Sequence, residues 1–507
     1  MISFNRNFVY EDTADVVIVG TGAGGATAAR VLAAAGIDVL MLEEGPRLRT
    51  PDRPRDALRT LAGTMRSGGT QTTTGTHPIP ILQAACVGGS TAVNSGIIWR
   101  MPDDVRADWT KNHGLGELVD AASFERIYER IEGDLDVAET SDEVLGGNAT
   151  LMRVASERMG LPGKAISRNA GRCQARGECL QGCPGERRQS MDVSYVPMAM
   201  KDGARLMTLC RVEKVWIEGG RAVGVLGSRL DAETRKPVGR FRVRAEKVIV
   251  SAGVVHTPLI LRRSGLRGMV GRRFQGHPGA AIVGRFDHPV RMSYGATQGY
   301  EVPMRERGYK LESLSLPPEM LAARLPGVGR EWQERTANLD CYAQWCAQVR
   351  MKAHGRVMPG PLWPLVFYEP TDSDLDRIQE ALTLIMRMMF EAGAVEVYPG
   401  IDGLPEVMRS ISEVDEAASR RWERGAIHLV VSHLFGTAVA GHDPRASVVD
   451  PQLQSHQVRD LYVMDASVFP TNMGVNPQHS IMAVVMRASE RLAQRITAAH
   501  PSFAHAS

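Results

Sequence analysis

The stretch that decides the fold is Asp15 to Gly45, DVVIVGTGAGGATAARVLAAAGIDVLMLEEG. The apolar run Val16 to Val19 reads as a buried strand. It enters a turn containing Gly20, Gly22 and Gly25, passes through an Ala-rich helical segment, and reaches a second apolar run, Ile37 to Leu42, closed by Glu43. Each part has a physical task in a dinucleotide site. Gly20 permits the tight turn, Gly22 lets backbone approach a pyrophosphate, and Gly25 lets the helix lie close on the strand. The helix points its positive N-terminal end at the phosphates. Glu43 stands where an acid accepts hydrogen bonds from a ribose. The motif specifies a dinucleotide and leaves FAD and NAD equally open.

Outward from that stretch, the length of 507 residues exceeds one ordinary core, so two domains are expected. The apolar share of 43% and charged share of 23% are those of a globular protein in water. Sixty basic residues against 57 acidic ones give a formal charge of +3. With no basic run or aromatic-basic strip, nucleic acid is not an expected partner. Seven cysteines, an odd number unevenly spread, argue against a secreted disulfide framework. The start, MISFNRNFVYEDTAD, has neither an apolar signal core nor twin arginines, and no window is long and apolar enough to span a bilayer. The expectation is a cytoplasmic protein.

Downstream, CVGGSTAVNSGIIWRMP (Cys86 to Pro102) packs small residues where backbone must pass a flat ligand. This segment resembles the first signature of the glucose-methanol-choline (GMC) oxidoreductases, carried here by Gly88, Gly89, Ser90, Asn94 and Arg100. The resemblance implies that the segment runs along the flavin of FAD, with Asn94 hydrogen-bonded to it. It extends to VIVSAGVVHTPLILRRSGL (Val248 to Leu266), which departs from the second signature at Val254 and Arg267. It continues in HLVVSHLFGTAVAG and in the C-terminal block Leu461 to Ala493. The implied fold class is α/β: a Rossmann-like FAD-binding domain of GMC type with a second α+β substrate domain on an antiparallel sheet. The expected division is 1–110, 205–285 and 426–507 for the FAD-binding parts, 111–204 for a helical insertion, and 286–425 for the substrate domain. Val212 is expected at the adenine end, and Asp465 beside the ribityl and pyrophosphate part.

The stretch RCQARGECLQGCPGERRQS (Arg172 to Ser190) has Cys173, Cys179 and Cys183 in an irregular, Gly-rich context. A structural zinc site wants four ligands and lacks one here. Three thiolates could instead hold a [3Fe-4S] cluster. The spacing is similar to that of cluster-binding glucose dehydrogenase subunits of the family. A GCP-x-G-x-x-x-S stretch that recurs in bacterial alcohol oxidoreductases of the family is also matched, except that Glu186 replaces its second Gly, and there the cysteines need hold no metal. Both readings stand at this point.

Chemistry is expected at two late positions. Asn476 and Pro477 read as an N-cap and first helical residue, opening a helix whose positive end could face a reduced flavin. The resemblance makes His433 the base that takes an alcohol's hydroxyl proton, with Asn476 bonded to the substrate oxygen. His433 is suited by an imidazole that is neutral near pH 7. The implied function is FAD-dependent oxidation of an alcohol, apolar or aromatic from the Met- and Trp-rich substrate segment. Electrons would pass to oxygen, a quinone, a dye or an electron-transfer protein. The alternatives on this frame are a hydroxynitrile-lyase-type reaction and a flavin-bound protein without turnover. His479 and His428 are lesser candidates for the base, and His277, beside Pro278 where the chain leaves the nucleotide domain, is read as structural.

Overall fold

A computed structural model describes residues 9–499; positions 1–8, part of the segment read above for a leader, and 500–507 lie outside it. Two sheets carry the architecture. In the first, Val9–Val19 runs parallel to Val39–Leu42 and to Pro237–Val250, pairing Val16 with Val39 and Val19 with both Leu42 and Val250. Its inner half, Val16 to Val19, is buried on both faces, as parallel strands covered by helices are. Arg205–Met207 extends one side and Leu461–Val463 pairs in parallel with Pro237–Val250. The antiparallel strands Arg221–Leu230 and Cys210–Glu218 complete the other side. Along Pro237–Val250, Arg240, Arg242, Arg244 and Glu246 are exposed in alternation with buried Phe241, Val243 and Ala245, as on a half-exposed strand. The Rossmann-like sheet is thus gathered from three separated stretches of chain.

The helix Ala23–Ala34 lies on this sheet and buries Ala26, Ala28, Ala29 and Leu32. A Cβ on Gly25 would stand 2.0 Å from Gly20 O, so only glycine permits the approach. The C-terminal helix Gln478–Ala499 packs against the same helix.

The second sheet is antiparallel and centres on the long strand Arg272–Arg285. Tyr342–Val349 and Val430–Phe435 pair with it, and Tyr309–Ser313 then Tyr300–Met304 follow outward from Tyr342–Val349. The expected boundaries at 285/286 and 425/426 cut across this sheet, because its central strand and the strand bearing His433 fall outside 286–425. An amphipathic helix, Asp372–Glu391, packs on this sheet. A capping box between Thr371 and Asp374 starts it, and Ile378, Leu382, Ile385 and Met389 are buried. An earlier helix, Ala121–Asp134, is capped by Asp120, which accepts from Ser123 N–H. Among the described residues no helix is long and apolar enough to cross a membrane.

Candidate active site

A cavity of about 1480 Å³ is lined by residues of both sheets and joins the glycine turn to His433 and Asn476. At one end stand Gly20 and Gly22. Gly20 adopts φ +97°, and a Cβ there would fall 2.3 Å from Ser251 O. Gly22 caps the helix Ala23–Ala34 with no side chain, the first turn holds no acidic residue, and a Cβ on Gly22 would meet nothing within 4 Å. The first-turn N–H groups therefore face open space that a pyrophosphate can fill. Gly25 stays out of the cavity and holds the helix to the turn.

Glu43 lines the cavity but is largely engaged internally. Its Oε2 accepts from Thr21 N–H (3.0 Å) and Thr21 Oγ1 (2.7 Å), and its Oε1 from Gly45 N–H (2.9 Å). Burial pushes its carboxyl up from the ordinary value, against those hydrogen bonds. The neighbouring Glu44 is instead paired with Arg66 and Arg211; these and His256 overcome burial and bring it to about 2.

Gly89, Ser90, Asn94 and Val212 also line the cavity, whereas Gly88 lies behind it and donates its N–H to Thr21 Oγ1 at 3.1 Å. Asn94 Nδ2 donates to Gln478 Oε1 (2.7 Å), and its Oδ1 accepts from Gly96 N–H and Arg188. Asp465 accepts from Gly253 N–H, Thr257 Oγ1 and Ser467 N–H, so its carboxylate ties strand to helix. These residues fit an FAD: an uncapped helix end, small residues beside it and one continuous cavity leading to His433 and Asn476.

At the other end, Asn476 Nδ2 lies 3.5 Å from His433 Nε2. The helix begins at Gln478, after Pro477, with Ile481 N–H bonded to Pro477 O. The expected capping role of the Asn476 side chain is not the observed one. Its Oδ1 accepts from Lys310 Nζ at 2.6 Å. Lys310 is fully buried and also contacts Glu301 Oε2 (2.6 Å) and Glu312 Oε1 (2.7 Å). Burial opposes its charge, but the two carboxylates hold the ammonium above the usual lysine value. His433 is held down to about 3, first by burial and then by the Lys310 charge. At neutral pH its imidazole is uncharged, with a lone pair to receive a proton.

The other histidines separate clearly. His277 lies directly opposite His433 in the ladder, with Nε2 receiving Gly474 N–H at 2.9 Å and lying 3.1 Å from Asn472 Oδ1. His428 lies before the strand Val430–Phe435, at the cavity wall and 3.6 Å from Asp402, so strand alternation does not govern where it points. His479 is fully buried against Tyr128, away from the cavity.

Of the two readings of the cysteine-rich stretch, the cluster finds no support in the structure. Arg168 donates to Cys179 Sγ (3.0 Å) and Cys173 Sγ (3.7 Å), while Cys183 Sγ accepts from Arg187 N–H at 3.3 Å. Among the described residues no group of three or more His, Cys, Asp or Glu is arranged to hold a metal ion. The Arg168 guanidinium is hydrogen-bonded to two of the three thiols, so the cysteines as arranged do not form a donor set for a [3Fe-4S] cluster. Arg168 and Arg188 overcome burial to lower the Cys179 thiol.

Lys310, Glu301 and Glu312 were not singled out from the sequence. A signal was present in YKLES: Lys310 and Glu312 are two apart on a strand and so share a face. Only the neighbouring strand, which sets Glu301 opposite Glu312, shows that the face is internal.

Fold and cavity together define an FAD-binding oxidoreductase frame. Comparison with known proteins places it further. The GMC oxidoreductase models match residues 61–279 and 350–484, and an NAD(P)-binding Rossmann-like model matches 18–71. A GMC-type oxidoreductase of Mycobacterium tuberculosis is 35% identical over 491 residues, covering 95% of this chain and 76% of that protein. One from Sinorhizobium fredii is 33% identical, covering 96% of each. A long-chain-alcohol oxidase of Arabidopsis thaliana is 26% identical over 96% of this chain and 67% of its own length. Among solved structures, pyridoxine 4-oxidase from Mesorbium loti superposes with a TM-score of 0.70 at 17% identity, covering 95% of this chain and 99% of that one. The chain belongs to the GMC oxidoreductase family.

Proposed function

We propose that this protein oxidises an alcohol to an aldehyde or ketone, with His433 as the base. The observation that carries the reading is the His433–Asn476 pair, 3.5 Å apart, in the same cavity as the uncapped helix at Gly22. Bound FAD supplies the hydride acceptor. His433 Nε2 takes the hydroxyl proton, and Asn476 Nδ2 donates to the oxygen as its negative charge grows. Leu314, Leu316, Met320, Trp363 and Leu365 on the wall favour an apolar or aromatic alcohol, in keeping with the relatives named as long-chain-alcohol oxidases. Gly22 and the helix it opens would hold the pyrophosphate of FAD, and the electrons would pass to an acceptor such as oxygen, a quinone, a dye or an electron-transfer protein. No electron route is drawn through Cys173, Cys179 and Cys183.

The test is anaerobic mixing of the holoprotein with 1-octanol and with benzyl alcohol, followed by the flavin absorbance. Bleaching that His433→Ala abolishes supports the reading. Cyanide release from mandelonitrile with the flavin still oxidised would establish the lyase reading in its place. A flavin unchanged by every alcohol and nitrile, with His433→Ala indistinguishable from the parent, would leave a flavin-bound protein without turnover.

A further inference from the structure

An asparagine amide can present either its oxygen or its nitrogen to a partner, and the choice decides what it does to a substrate. At Asn476 the choice is made from behind. Lys310 Nζ has only donors, so at 2.6 Å it must face Oδ1. Nδ2 is thereby turned towards His433 Nε2 and the cavity. Lys310 does not line the cavity; it touches the pair through its hydrogen bond to Asn476 Oδ1, and its charge acts on His433 from a distance.

The support of Lys310 is itself built. Glu301 and Glu312 are directly opposed in the ladder between Tyr300–Met304 and Tyr309–Ser313, an arrangement of like charges that is unfavourable without a cation between them. Lys310 fills that position, touching both carboxylates. The carboxylates are then fixed from outside: Trp99 Nε1 donates to Glu301 Oε2 at 3.0 Å, while Gln298 and Gln348 donate to Glu312 Oε2 at 2.7 and 2.9 Å. The lysine, Glu301, Glu312 and Asn476 are all buried. Rotating the amide would set its NH2 against an ammonium in a low-dielectric interior, which is costly.

We infer that Lys310 is a positioning residue that locks the Asn476 amide with its NH2 towards the reacting oxygen and the Nε2 lone pair of His433. The inference rests on His433 and Asn476 as the reacting pair. With the amide locked, its NH2 faces His433 Nε2 and favours the tautomer that carries the proton on Nδ1, a buried atom to which no protein acceptor among the described residues is bonded. That tautomer is the form that can accept a proton at Nε2. Glu301 and Glu312 keep the ammonium in place.

Two measurements on the holoprotein test it. The first is a double-mutant cycle with benzyl alcohol and dichlorophenolindophenol as acceptor. Lys310→Met is expected to lower kcat by about 10- to 100-fold, as loss of orientation at a reacting atom does. In an Asn476→Ala background the same change is expected to alter kcat by less than about threefold, since the residue it orients is gone. Equal losses in both backgrounds, or no loss in the parent, would overturn the inference. If Lys310→Met fails to retain flavin, Lys310→Met/Glu312→Gln removes one carboxylate with the cation and takes its place.

The second reads the tautomer by NMR of ¹⁵N-labelled histidine, with the His433 signal assigned through His433→Ala. The parent is expected to show Nε2 unprotonated, and the lysine variant a mixture of tautomers. A parent protonated at Nε2, or a variant identical to the parent, would overturn the inference without reference to turnover. If no alcohol is oxidised, the proposed reaction fails while the tautomer still decides the role of Lys310.

Discussion

Asn476 Nδ2 and His433 Nε2 lie 3.5 Å apart although 43 positions separate them in the chain. The two arrive from different architectures. His433 comes from a strand of the antiparallel sheet, and Asn476 from the turn that opens the C-terminal helix packed on the Rossmann-like sheet. The proposed reacting pair is therefore made by the junction of the two sheets.

Removing either member has a distinct expected signature. His433→Ala should lower kcat with benzyl alcohol by about 10²- to 10⁴-fold, the contribution typical of a positioned base. Asn476→Ala should cost about 10²- to 10³-fold, as loss of one donor to a developing oxyanion does. Flavin content, read from absorbance, should be preserved in both. A His433→Ala protein with near-parental kcat would remove it from the mechanism.

Two glycines of one turn should fail differently. Gly25→Ala places a Cβ 2.0 Å from Gly20 O, an overpacking expected to cost about 1–3 kcal/mol in unfolding free energy. Gly22→Ala meets nothing within 4 Å, so the fold should be unaffected while the new methyl enters the space left for pyrophosphate. Thermal unfolding and flavin content, measured on both, separate the effects. Full flavin retention in Gly22→Ala would contradict the placement of the phosphates.

Acid should destabilise the protein before its carboxylates titrate. Burial is the main cause holding His256, His433 and His479 down to about 3. Between the ordinary histidine value near 6.5 and about 3, the unfolded chain takes protons that the folded chain refuses, so stability is full above that window and falls as pH drops. Each histidine contributes a slope of up to about 1.4 kcal/mol per pH unit. His479→Phe, which keeps an aromatic ring against Tyr128, should flatten the fall in Tm between pH 7 and pH 5. A Tm independent of pH across that range would refute the buried neutral state.

Iron should be absent in stoichiometric amount from anaerobically purified protein, because Arg168 stands between Cys173 and Cys179 and no metal-holding group is formed among the described residues. The measurement is metal analysis on the sample that gives the flavin spectrum. About three irons per chain would show that the loop rearranges around a cluster.

The nucleotide half was legible because its signals are local. Val16 to Val19, the turn from Gly20 to Gly25 and the second run ending at Glu43 act through their immediate neighbours, and period and spacing carry that information. The same holds for the helix Asp372–Glu391, with its capping Thr371 and Asp374 three positions apart. Resemblance brought His433 and Asn476 to notice, but not what holds them. Lys310 and Glu312 read as an ordinary charged strand, and Glu301 as an unremarkable acid. Whether a strand face meets water or another strand depends on the partners of Tyr309–Ser313, and those come from Tyr300–Met304 and Tyr342–Val349. The cysteines make the same point: their spacing permits a cluster, and Arg168, brought in by the fold, occupies the place between two of them. The sequence by itself determined the segments that fold through short-range sterics and hydrogen bonds. The tertiary structure decided which charges are buried together, because burial and Coulomb energy depend on distances in space that no local pattern encodes.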